Sequence, residues 1–466
     1  MGEVSARASA VREGTPRRQP ARETTARTYA RALPVVPVRA RGLTIEAADG
    51  RRYLDCVSGG GTLALGHNHP VVLGAIRAVL DSGAPLQVMD LTTPVEDAFV
   101  TELLRTLPPG LAGHARVRFC GPTGTDPLAT AAGLVRAATG RTRVVAFTDV
   151  HHRATAEACA GPGDACGTRL ARLPYPQDPH CPFGVGGEHG AELAGHWAES
   201  VLDDRRTGEA LPAGMILEPV QSEGGVLPAP DTWMRRMRRI TAERSVPLIA
   251  DETETGGGWT GALWAVEHSG VTPDVLVLSK AIGGSLPLAA VVHRDDLHVG
   301  QSDSGTFRGN QLALAAGAAT LAHVREHRLA DHAAALGARV LTRLRALAEE
   351  FRCVGDVRGR GLLIGVEMAA PDGARAPATD GNRPGRASRT AAELAAAVQR
   401  ACLCRGLIVD VVGPSANVVR LLPPLIVTEE QMAAVLDRLA DAVAAVEGAD
   451  RGRGGHAPPH GERAPR

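Results

Sequence analysis

The stretch PDVLVLSKAIGG, residues 273–284, contains Lys280, the only lysine in a chain with 51 lysines and arginines in total. Arginine can replace lysine wherever only positive charge is needed. A guanidinium stays protonated, however, whereas a lysine amine can lose its proton and form an imine with a carbonyl. Compositional bias explains why lysine is rare, but not why this one closes the apolar run Val275–Leu278 and precedes a Gly-Gly turn. The stretch favours a catalytic lysine at the end of a buried strand.

Length, charge and cysteine pattern limit the class of protein. At 466 residues the chain can form two or three domains. The formal net charge is zero and no apolar run approaches the ~18 residues of a membrane span, so we expect neither nucleic acid nor a membrane as partner. The arginine-rich first 28 residues lack the apolar core of a secretory signal, and the eight cysteines form no CxxC pair. These features predict free thiols, no metal centre and a cytoplasmic location.

Short apolar runs alternate with longer helical patterns, which is typical of an α/β fold. Strands are predicted at Val117–Cys120, Arg143–Phe147, Met215–Leu217, Pro247–Ala250, Val275–Leu278 and Leu288–Val292. Helices are predicted at Pro70–Leu80, Val95–Leu107, Asp126–Ala138, Asp231–Arg244, Asn310–His323, His327–Phe351, Ala391–Arg405 and Glu429–Val446. The expected division is a large domain (71–326), a small α+β domain (327–447) to which residues 29–70 contribute, and disordered tails (1–28 and 448–466).

Several polar side chains follow the predicted strands, where an open parallel sheet binds its ligands. VPLIADETETG ends its apolar run at Asp251, MILEPVQSEGG continues to Glu223, and VLVLSK ends at Lys280. FCGPTGTD (119–126) runs from a strand through a glycine turn into a helix, an arrangement that can bind phosphate through backbone N–H groups. Each feature alone is common, because such turns are often only turns and such carboxylates are often helix caps or ion-pair partners.

Together these features match one chemistry. A lysine that forms an imine, an aspartate that pairs a pyridine nitrogen and a phosphate-binding turn are what a protein supplies to pyridoxal phosphate. A nucleotide-binding P-loop would need a lysine inside the glycine-rich turn, and none is present there. The residues therefore predict a pyridoxal-phosphate site.

From about residue 35 to 446 the chain resembles the class III aminotransferases of fold type I, and among them most resembles the 2,4-diaminobutyrate:2-oxoglutarate aminotransferases. The resemblance lies in YLDCVSGGGTLALGHNHP (53–70), FCGPTGTD (119–126), PYPQDPHCPFGVGGEHG (174–190), MILEPVQSEGG (215–225), PDVLVLSKAIGGSLPLA (273–289), SGTFRGNQLALAAG (304–317) and VVRLLPPLIVTEEQM (418–432). It implies a large domain with a mostly parallel seven-stranded sheet, a smaller C-terminal α+β domain and pyridoxal 5′-phosphate as cofactor. It also implies transfer of a terminal amino group between L-2,4-diaminobutyrate, or a similar diamine or ω-amino acid, and 2-oxoglutarate or glutamate in specialised metabolism.

The resemblance also implies individual roles. Lys280 would carry the cofactor and move a proton, and Asp251 would pair the ring nitrogen. Gly124 and Thr125 would give N–H groups to the phosphate. Thr306 would add a hydroxyl from the neighbouring subunit, so the expected assembly is a homodimer with shared active sites.

Arg420 matches the arginine that binds a substrate carboxylate in this family, and Glu223 matches the glutamate that covers it in relatives that handle a distal amine. In such a pair, the glutamate would neutralise the arginine while the diamine donates its terminal amine. The glutamate would move away when the carboxylate of the 2-oxo acid needs the arginine as its cation. The alternative is an ordinary structural ion pair.

Several positions depart from the family pattern. Among them, His151 replaces an aromatic residue that stacks on the cofactor, Arg153 a glycine, Thr253 an aliphatic residue and Glu254 a glutamine. If Glu254 lies beside the cofactor's phenolic oxygen, either the cofactor's imine or Glu254 itself would hold the shared proton. The departures leave three hypotheses. The chain is a diaminobutyrate aminotransferase, a related enzyme with another amine or outcome such as racemisation or aminomutation, or a weakened dimeric paralogue that acts as a binding protein.

Overall fold

The computed structural model describes residues 33–88, 91–122, 126–147, 170–176, 183, 185, 187–202, 211–297, 308–370 and 389–454. No helix in these ranges is both long enough and apolar enough to cross a membrane.

Strands and helices alternate through most of the chain. The strands are β1 (Pro37–Arg41), β2 (Thr44–Ala47), β3 (Arg52–Asp55), β4 (Ala115–Cys120), β5 (Val144–Phe147), β6 (Leu170–Leu173), β7 (Gly214–Leu217), β8 (Val220–Gln221), β9 (Leu227–Pro228), β10 (Leu248–Asp251), β11 (Val275–Leu278), β12 (Ala289–Arg294), β13 (Val354–Arg360), β14 (Leu363–Met368), β15 (Leu407–Ile408), β16 (Asp410–Val412) and β17 (Val418–Leu421). The helices are α1 (Pro70–Ser82), α2 (Pro94–Thr106), α3 (Pro109–Ala112), α4 (Asp126–Thr139), α5 (Gly187–Val201), α6 (Asp231–Glu243), α7 (Gln311–Glu326), α8 (Leu329–Glu350), α9 (Ala391–Cys404) and α10 (Glu429–Gly454).

Seven strands form the main sheet in the order β4-β12-β11-β10-β7-β5-β6. All neighbours pair in parallel except β12, which is antiparallel to both β11 and β4. The prediction of an α/β fold with a mostly parallel seven-stranded sheet is confirmed. The six predicted strands lie within one or two residues of observed strands at most ends, whereas β6 at the sheet edge was not predicted.

Helices cover both faces of this sheet, which explains why its strands read as continuous apolar runs. Along β7, for example, Ile216 packs with α4 on one face, while Met215 and Leu217 pack on the opposite face among residues of α2, α6 and α7. Because both faces are buried, polar side chains can reach solvent only at the strand ends. The fold therefore places polar residues at the edge where ligands bind in such sheets.

Two four-stranded sheets lie outside the main sheet. One has the order β1-β2-β3-β15, so the N-terminal strands pair with a strand that lies far along the chain. The other, β13-β14-β17-β16, is antiparallel and carries Arg420 on β17. The expected contribution of residues 29–70 to the small domain accords with the β3–β15 pairing, and the domain boundaries themselves stay predictions.

Helix α10 runs to Gly454 and so continues past residue 448, where a disordered tail was predicted. Helix propagation costs little once a helix has formed, and the first proline beyond this region is Pro458. The compositional change at residue 448 therefore placed the start of the tail too early. Residues 1–28, 371–388 and 455–466 lie outside the described ranges.

Candidate active site

Three neighbouring parallel strands of the main sheet bring polar residues to one edge, among them the predicted Asp251 and Lys280. Asp251 is the last residue of β10, Lys280 follows β11 after one residue, and Glu218 follows β7 directly. The strands are in register here, with Asp251 opposite Val277 and Ala250 opposite Leu217. The strand-end rule applied to the sequence therefore located this edge correctly.

Lys280 begins a single turn of 3₁₀ helix, Lys280–Gly283, and has a φ of 50°. This left-handed conformation is strained for a residue with a side chain and needs support from its surroundings. Support comes from helix α7, which packs so closely that a Cβ on Gly284 would lie 2.3 Å from the carbonyl oxygen of Ala316. The glycines after Lys280 thus let the chain turn under the lysine and hold its backbone against α7.

The Lys280 amine contacts a carboxylate directly. Its Nζ lies against Oε1 of Glu254, and the lysine side chain keeps 26% of its surface exposed. The other oxygen of Glu254, Oε2, lies 3.6 Å from Nη1 of Arg420. Glu254 therefore bridges the two cations that the sequence assigned to separate tasks.

Asp251 is partly buried, and its Oδ1 accepts a hydrogen bond of 3.0 Å from the backbone N–H of Thr253. Burial raises the pKa of the Asp251 carboxyl, and the negative charge of Glu254 adds to the rise, while hydrogen bonds from the Thr253 hydroxyl and N–H and the charge of Lys280 oppose it. Within the described ranges no arginine, lysine or histidine forms a salt bridge with this carboxylate. A bound cation would offset the cost of burying the charge.

One polar atom beside Asp251 is suited to a ligand. Oε2 of Glu254 is buried, accepts no hydrogen bond from the described residues and lies 3.6 Å from Nη1 of Arg420. Buried polar atoms of this kind are rare unless a ligand or water satisfies them. A flat group with a cationic nitrogen at Asp251 and polar substituents towards Thr253 and Glu254 would fit this donor and acceptor set.

Glu252 supports the same loop from beneath. Its carboxyl is 1% exposed and accepts hydrogen bonds from the Thr255 hydroxyl and, over 2.9 Å, from the N–H of Val266. Burial raises its pKa to about 7, against an ordinary value of 4.5, although both hydrogen bonds oppose the rise. Through these contacts Glu252 fixes the loop from Thr253 onward.

Replacing Glu252 with glutamine should make the protein more stable relative to the wild type as the pH rises. The folded chain holds the Glu252 proton more tightly than the unfolded chain does, so wild-type stability falls between about pH 4.5 and 7 as that proton is lost. Glutamine stays neutral, so the thermal midpoint of the variant minus that of the wild type should increase from pH 5 to pH 8. The exposed Glu349→Gln is the matched control. A difference that is flat with pH would contradict a buried, protonated Glu252.

Arg420 lies on β17 with only 2% of its side chain exposed, and three carboxylates surround it. Nη1 lies 2.7 Å from Glu223 Oε1 and donates to Ser222 Oγ over 2.9 Å, and Nη2 lies 2.8 Å from Asp410 Oδ2. Burial alone would lower the pKa of Arg420, but the carboxylates, led by Glu223, outweigh it and raise the pKa above its ordinary value. The guanidinium is therefore permanently charged and paired at both ends.

The structure brings together most of the catalytic residues predicted from the sequence. Glu223 pairs with Arg420, and Glu254 links that pair to Lys280. Gly124, Thr125, His151 and Thr306, which were predicted to bind the cofactor, lie outside the described residues, as does Arg153.

Sequence reasoning missed Asp410. It stands inside the apolar run LIVDVV, where a lone acidic residue was the only signal. Its partner became clear only from strand register, because Asp410 on β16 lies directly opposite Arg420 on β17. Side chains of directly opposite residues share one face of a sheet, so the pair follows from the pairing of the strands.

Comparison with known proteins gives a consistent result. Residues 24–443 match the family model described as aminotransferase class-III. The chain is 43% identical to a diaminobutyrate--2-oxoglutarate aminotransferase of Rhizobium meliloti (strain 1021), over 92% of this chain and 91% of the relative, and 38% identical to one of Haemophilus influenzae, over 91% and 94%. Among solved structures, a PLP-bound amine transaminase from an uncultivated Pseudomonas species is 28% identical with a TM-score of 0.75, covering 91% of this chain and 98% of that one. An ornithine aminotransferase of Toxoplasma gondii has a TM-score of 0.76 at 23% identity, covering 95% and 98%, and shows the same fold.

Proposed function

The chain belongs to the class III aminotransferases, and we propose that it transfers the terminal amino group of L-2,4-diaminobutyrate to 2-oxoglutarate, in specialised metabolism. As an aminotransferase it uses an amino donor and a 2-oxo acid. The observation that carries the choice of substrates is the 43% identity, over nine-tenths of both chains, to a relative named for them. The paired Arg420 and Glu223 support the choice, because a covered arginine suits a donor whose reacting amine is far from its carboxylate.

Members of this family depend on pyridoxal 5′-phosphate, and the residues at the sheet edge fit that cofactor. When bound, it supplies an electron-accepting ring that stabilises negative charge on substrate carbon. We assign Lys280 to its covalent attachment and Asp251 to its ring nitrogen, since a cation there would offset the burial that raises the pKa of this carboxyl. Oε2 of Glu254, which accepts no hydrogen bond within the described part of the chain, would face the cofactor's polar substituents together with the Thr253 side chain. Gly124, Thr125 and Thr306 are proposed to hold the phosphate, and His151 to lie against the ring.

Lys280 is also proposed to move the proton at the carbon that bears the reacting amine. This task needs a side chain that can lose its proton and swing between two positions, and the partly exposed lysine side chain can do so. Glu254, which touches Nζ, positions the end of the lysine side chain, while the strained backbone of the turn fixes where the side chain starts. Proton transfer would thus be local to Lys280.

A homodimer with shared active sites is part of this proposal, because Thr306 is assigned to the partner's phosphate. An apolar cavity of about 380 Å³ is lined by Pro122, Leu286 and Asn310 among others, and Pro122 belongs to the turn proposed to bind the phosphate. Leu86, beside the lining residue Gln87, is 45% exposed. A partner subunit would cover such a surface. Sedimentation at several protein concentrations tests this, and a monomer with full activity would contradict it. A cytoplasmic location is also proposed, on the cysteine pattern.

The donor is tested with a panel of amines against 2-oxoglutarate, by measuring the glutamate formed. We expect diaminobutyrate to exceed ornithine and 4-aminobutyrate by at least about tenfold in kcat/KM. Ornithine has one more methylene, which costs roughly 1–3 kcal/mol, and 4-aminobutyrate lacks the α-amino group, so the groups that bind this amine would be left unpaired. If another amine is the best donor, that amine replaces diaminobutyrate as the proposed substrate. If an isomerised product forms without oxo acid, the proposed reaction is replaced by racemisation or aminomutation. A protein that binds the cofactor but turns over no amine would be the weakened paralogue.

Glu254→Gln should lower the pH midpoint at which the absorbance of the lysine-bound cofactor changes. The Glu254 carboxylate touches the lysine nitrogen and favours its positively charged form, and a neutral amide removes that attraction. One charge at this range is worth several kcal/mol at an effective dielectric of about 20, and Arg420 offsets part of it, so we expect a fall of roughly one pH unit. Activity near neutral pH should rise.

The measurement is an absorbance titration of the cofactor-loaded protein. Glu243→Gln, exposed on α6, removes an equal charge far from the lysine and should leave the midpoint unchanged. An unchanged midpoint in Glu254→Gln would mean that this carboxylate does not act on the reactive amine.

A further inference from the structure

Arg420 is neutralised from two sides, and the two carboxylates are held differently. Asp410 faces Arg420 across the β16–β17 ladder, and its other oxygen, Oδ1, accepts a hydrogen bond of 2.8 Å from the N–H of Val411. Both oxygens of Asp410 are therefore fixed by a strand. Glu223 instead lies in the turn between β8 and β9, at the end of a longer side chain that is 27% exposed. The Asp410 side chain is 37% exposed, but it can leave Arg420 only by giving up both of these bonds, whereas Glu223 has one more rotatable bond with which to move aside.

This difference affects the binding of a carboxylate substrate. If Glu223 alone moves, Nη1 becomes available, but Nη2 still bonds to Asp410 and Glu254 still lies 3.6 Å from Nη1. The guanidinium would then meet a substrate carboxylate while already paired with one carboxylate and close to another. An arginine that is paired in this way attracts an anion far less than a free arginine does. Movement of Glu223 is therefore insufficient to make Arg420 a strong anion site.

We propose that Asp410 is a specificity-determining residue that permanently weakens carboxylate binding at Arg420. This inference rests on the proposed function and adds to it. Glu223 is the movable cover, and Asp410 is a fixed counter-charge that keeps the 2-oxo acid weakly bound in every state of the site. The arrangement disfavours dicarboxylates as competitors of the amine donor, because the donor carries a second ammonium group that the surrounding carboxylates tolerate.

Asp410 could otherwise serve only to hold Arg420 in place. The two roles predict effects of opposite sign. If Asp410 only positions the arginine, its loss should weaken anion binding, because the guanidinium would no longer point at the ligand. If Asp410 neutralises the arginine, its loss should strengthen anion binding.

The test is calorimetric titration of the cofactor-loaded protein with glutarate, a dicarboxylate that has no carbonyl to react. Asp410→Asn keeps the side-chain oxygen for the Val411 N–H but removes the charge, and we expect it to bind glutarate about tenfold more tightly than wild type. Glu223→Gln should tighten binding by no more than about threefold, because that carboxylate can already move aside. Asp437→Asn, exposed on α10, removes the same charge away from Arg420 and should change nothing.

A steady-state measurement separates this inference from the proposed function. The KM for 2-oxoglutarate should fall in Asp410→Asn in parallel with the glutarate dissociation constant. Unchanged or weaker glutarate binding in Asp410→Asn, or no glutarate binding in any variant, would overturn the inference even if diaminobutyrate is the donor. Tighter glutarate binding without amine transfer from diaminobutyrate would overturn the proposed donor and leave the role of Asp410 standing. A thermal midpoint and Asp410→Glu, which keeps the charge, control for loss of structure.

Discussion

Lys280→Arg should lose covalent attachment of the cofactor and at least about 10³-fold of its amino-transfer rate, while remaining folded. Arginine keeps the positive charge beside Glu254 but cannot form the imine or give up a proton at working pH. Loss of a group that is both the attachment point and the proton carrier removes interactions made only in the reaction, so kcat should fall rather than KM rise.

Absorbance of the bound cofactor, turnover and the thermal midpoint measure these effects. In the wild type, borohydride reduction should fix the cofactor on one tryptic peptide, residues 245–294, because no other side-chain amine of this kind exists in the chain. Lys280→Ala serves as the comparison that lacks both charge and amine. Retained attachment and turnover in Lys280→Arg would refute the assignment of this residue.

Asp251→Asn should retain the cofactor but lose roughly 10²–10³-fold in kcat. An asparagine can accept a hydrogen bond but carries no charge, so it cannot hold a proton on a ring nitrogen. Removing one partner of a buried charged pair costs about 3–5 kcal/mol. Burial raises the pKa of the Asp251 carboxyl, which shows that water has little access to this strand end. Water therefore cannot replace the lost charge.

Single-turnover rates with a saturating amine donor measure the loss, and cofactor content is determined in parallel. Asp331→Asn, at an exposed ion pair on α8, is the matched control and should keep the wild-type rate. A variant that loses the cofactor but keeps its rate when cofactor is added in excess would show that Asp251 only anchors the ligand.

The sequence allowed the carboxyl edge of the sheet to be predicted because local patterns determine it. A short apolar run indicates a strand, and the polar residue that follows it must lie at the strand end. This reasoning places Asp251 and Lys280 at the carboxyl edge from the sequence alone. The number of strands came from the family resemblance. The apolar run LIVDVV does indicate the strand β15, but no local pattern shows that it pairs with β3, more than three hundred residues away, because such pairing depends on tertiary packing.

Only one of the two carboxylates that bond to Arg420 could be predicted, because a local motif indicates one and tertiary pairing brings in the other. Glu223 could be assigned by motif, but Asp410 becomes a neighbour of Arg420 only through the register of β16 on β17, and register has no local signature in so short a strand. Likewise, the contacts of Glu254 with Lys280 and Arg420 depend on how the loop after β10 folds over the buried Glu252. The partners of Glu252 lie within fourteen residues of it, but their spacing follows neither a helix nor a strand period.

The close packing of Gly284 against Ala316 limits how this enzyme can be altered. With no room for a Cβ at that point, the lysine turn cannot move without displacing helix α7, so directed evolution should find few tolerated changes there. Asp410, by contrast, lies on the edge strand β16, which pairs only with β17, and its side chain is partly exposed. Libraries that seek new amine donors should therefore vary the β16–β17 hairpin and leave residues 280–284 untouched.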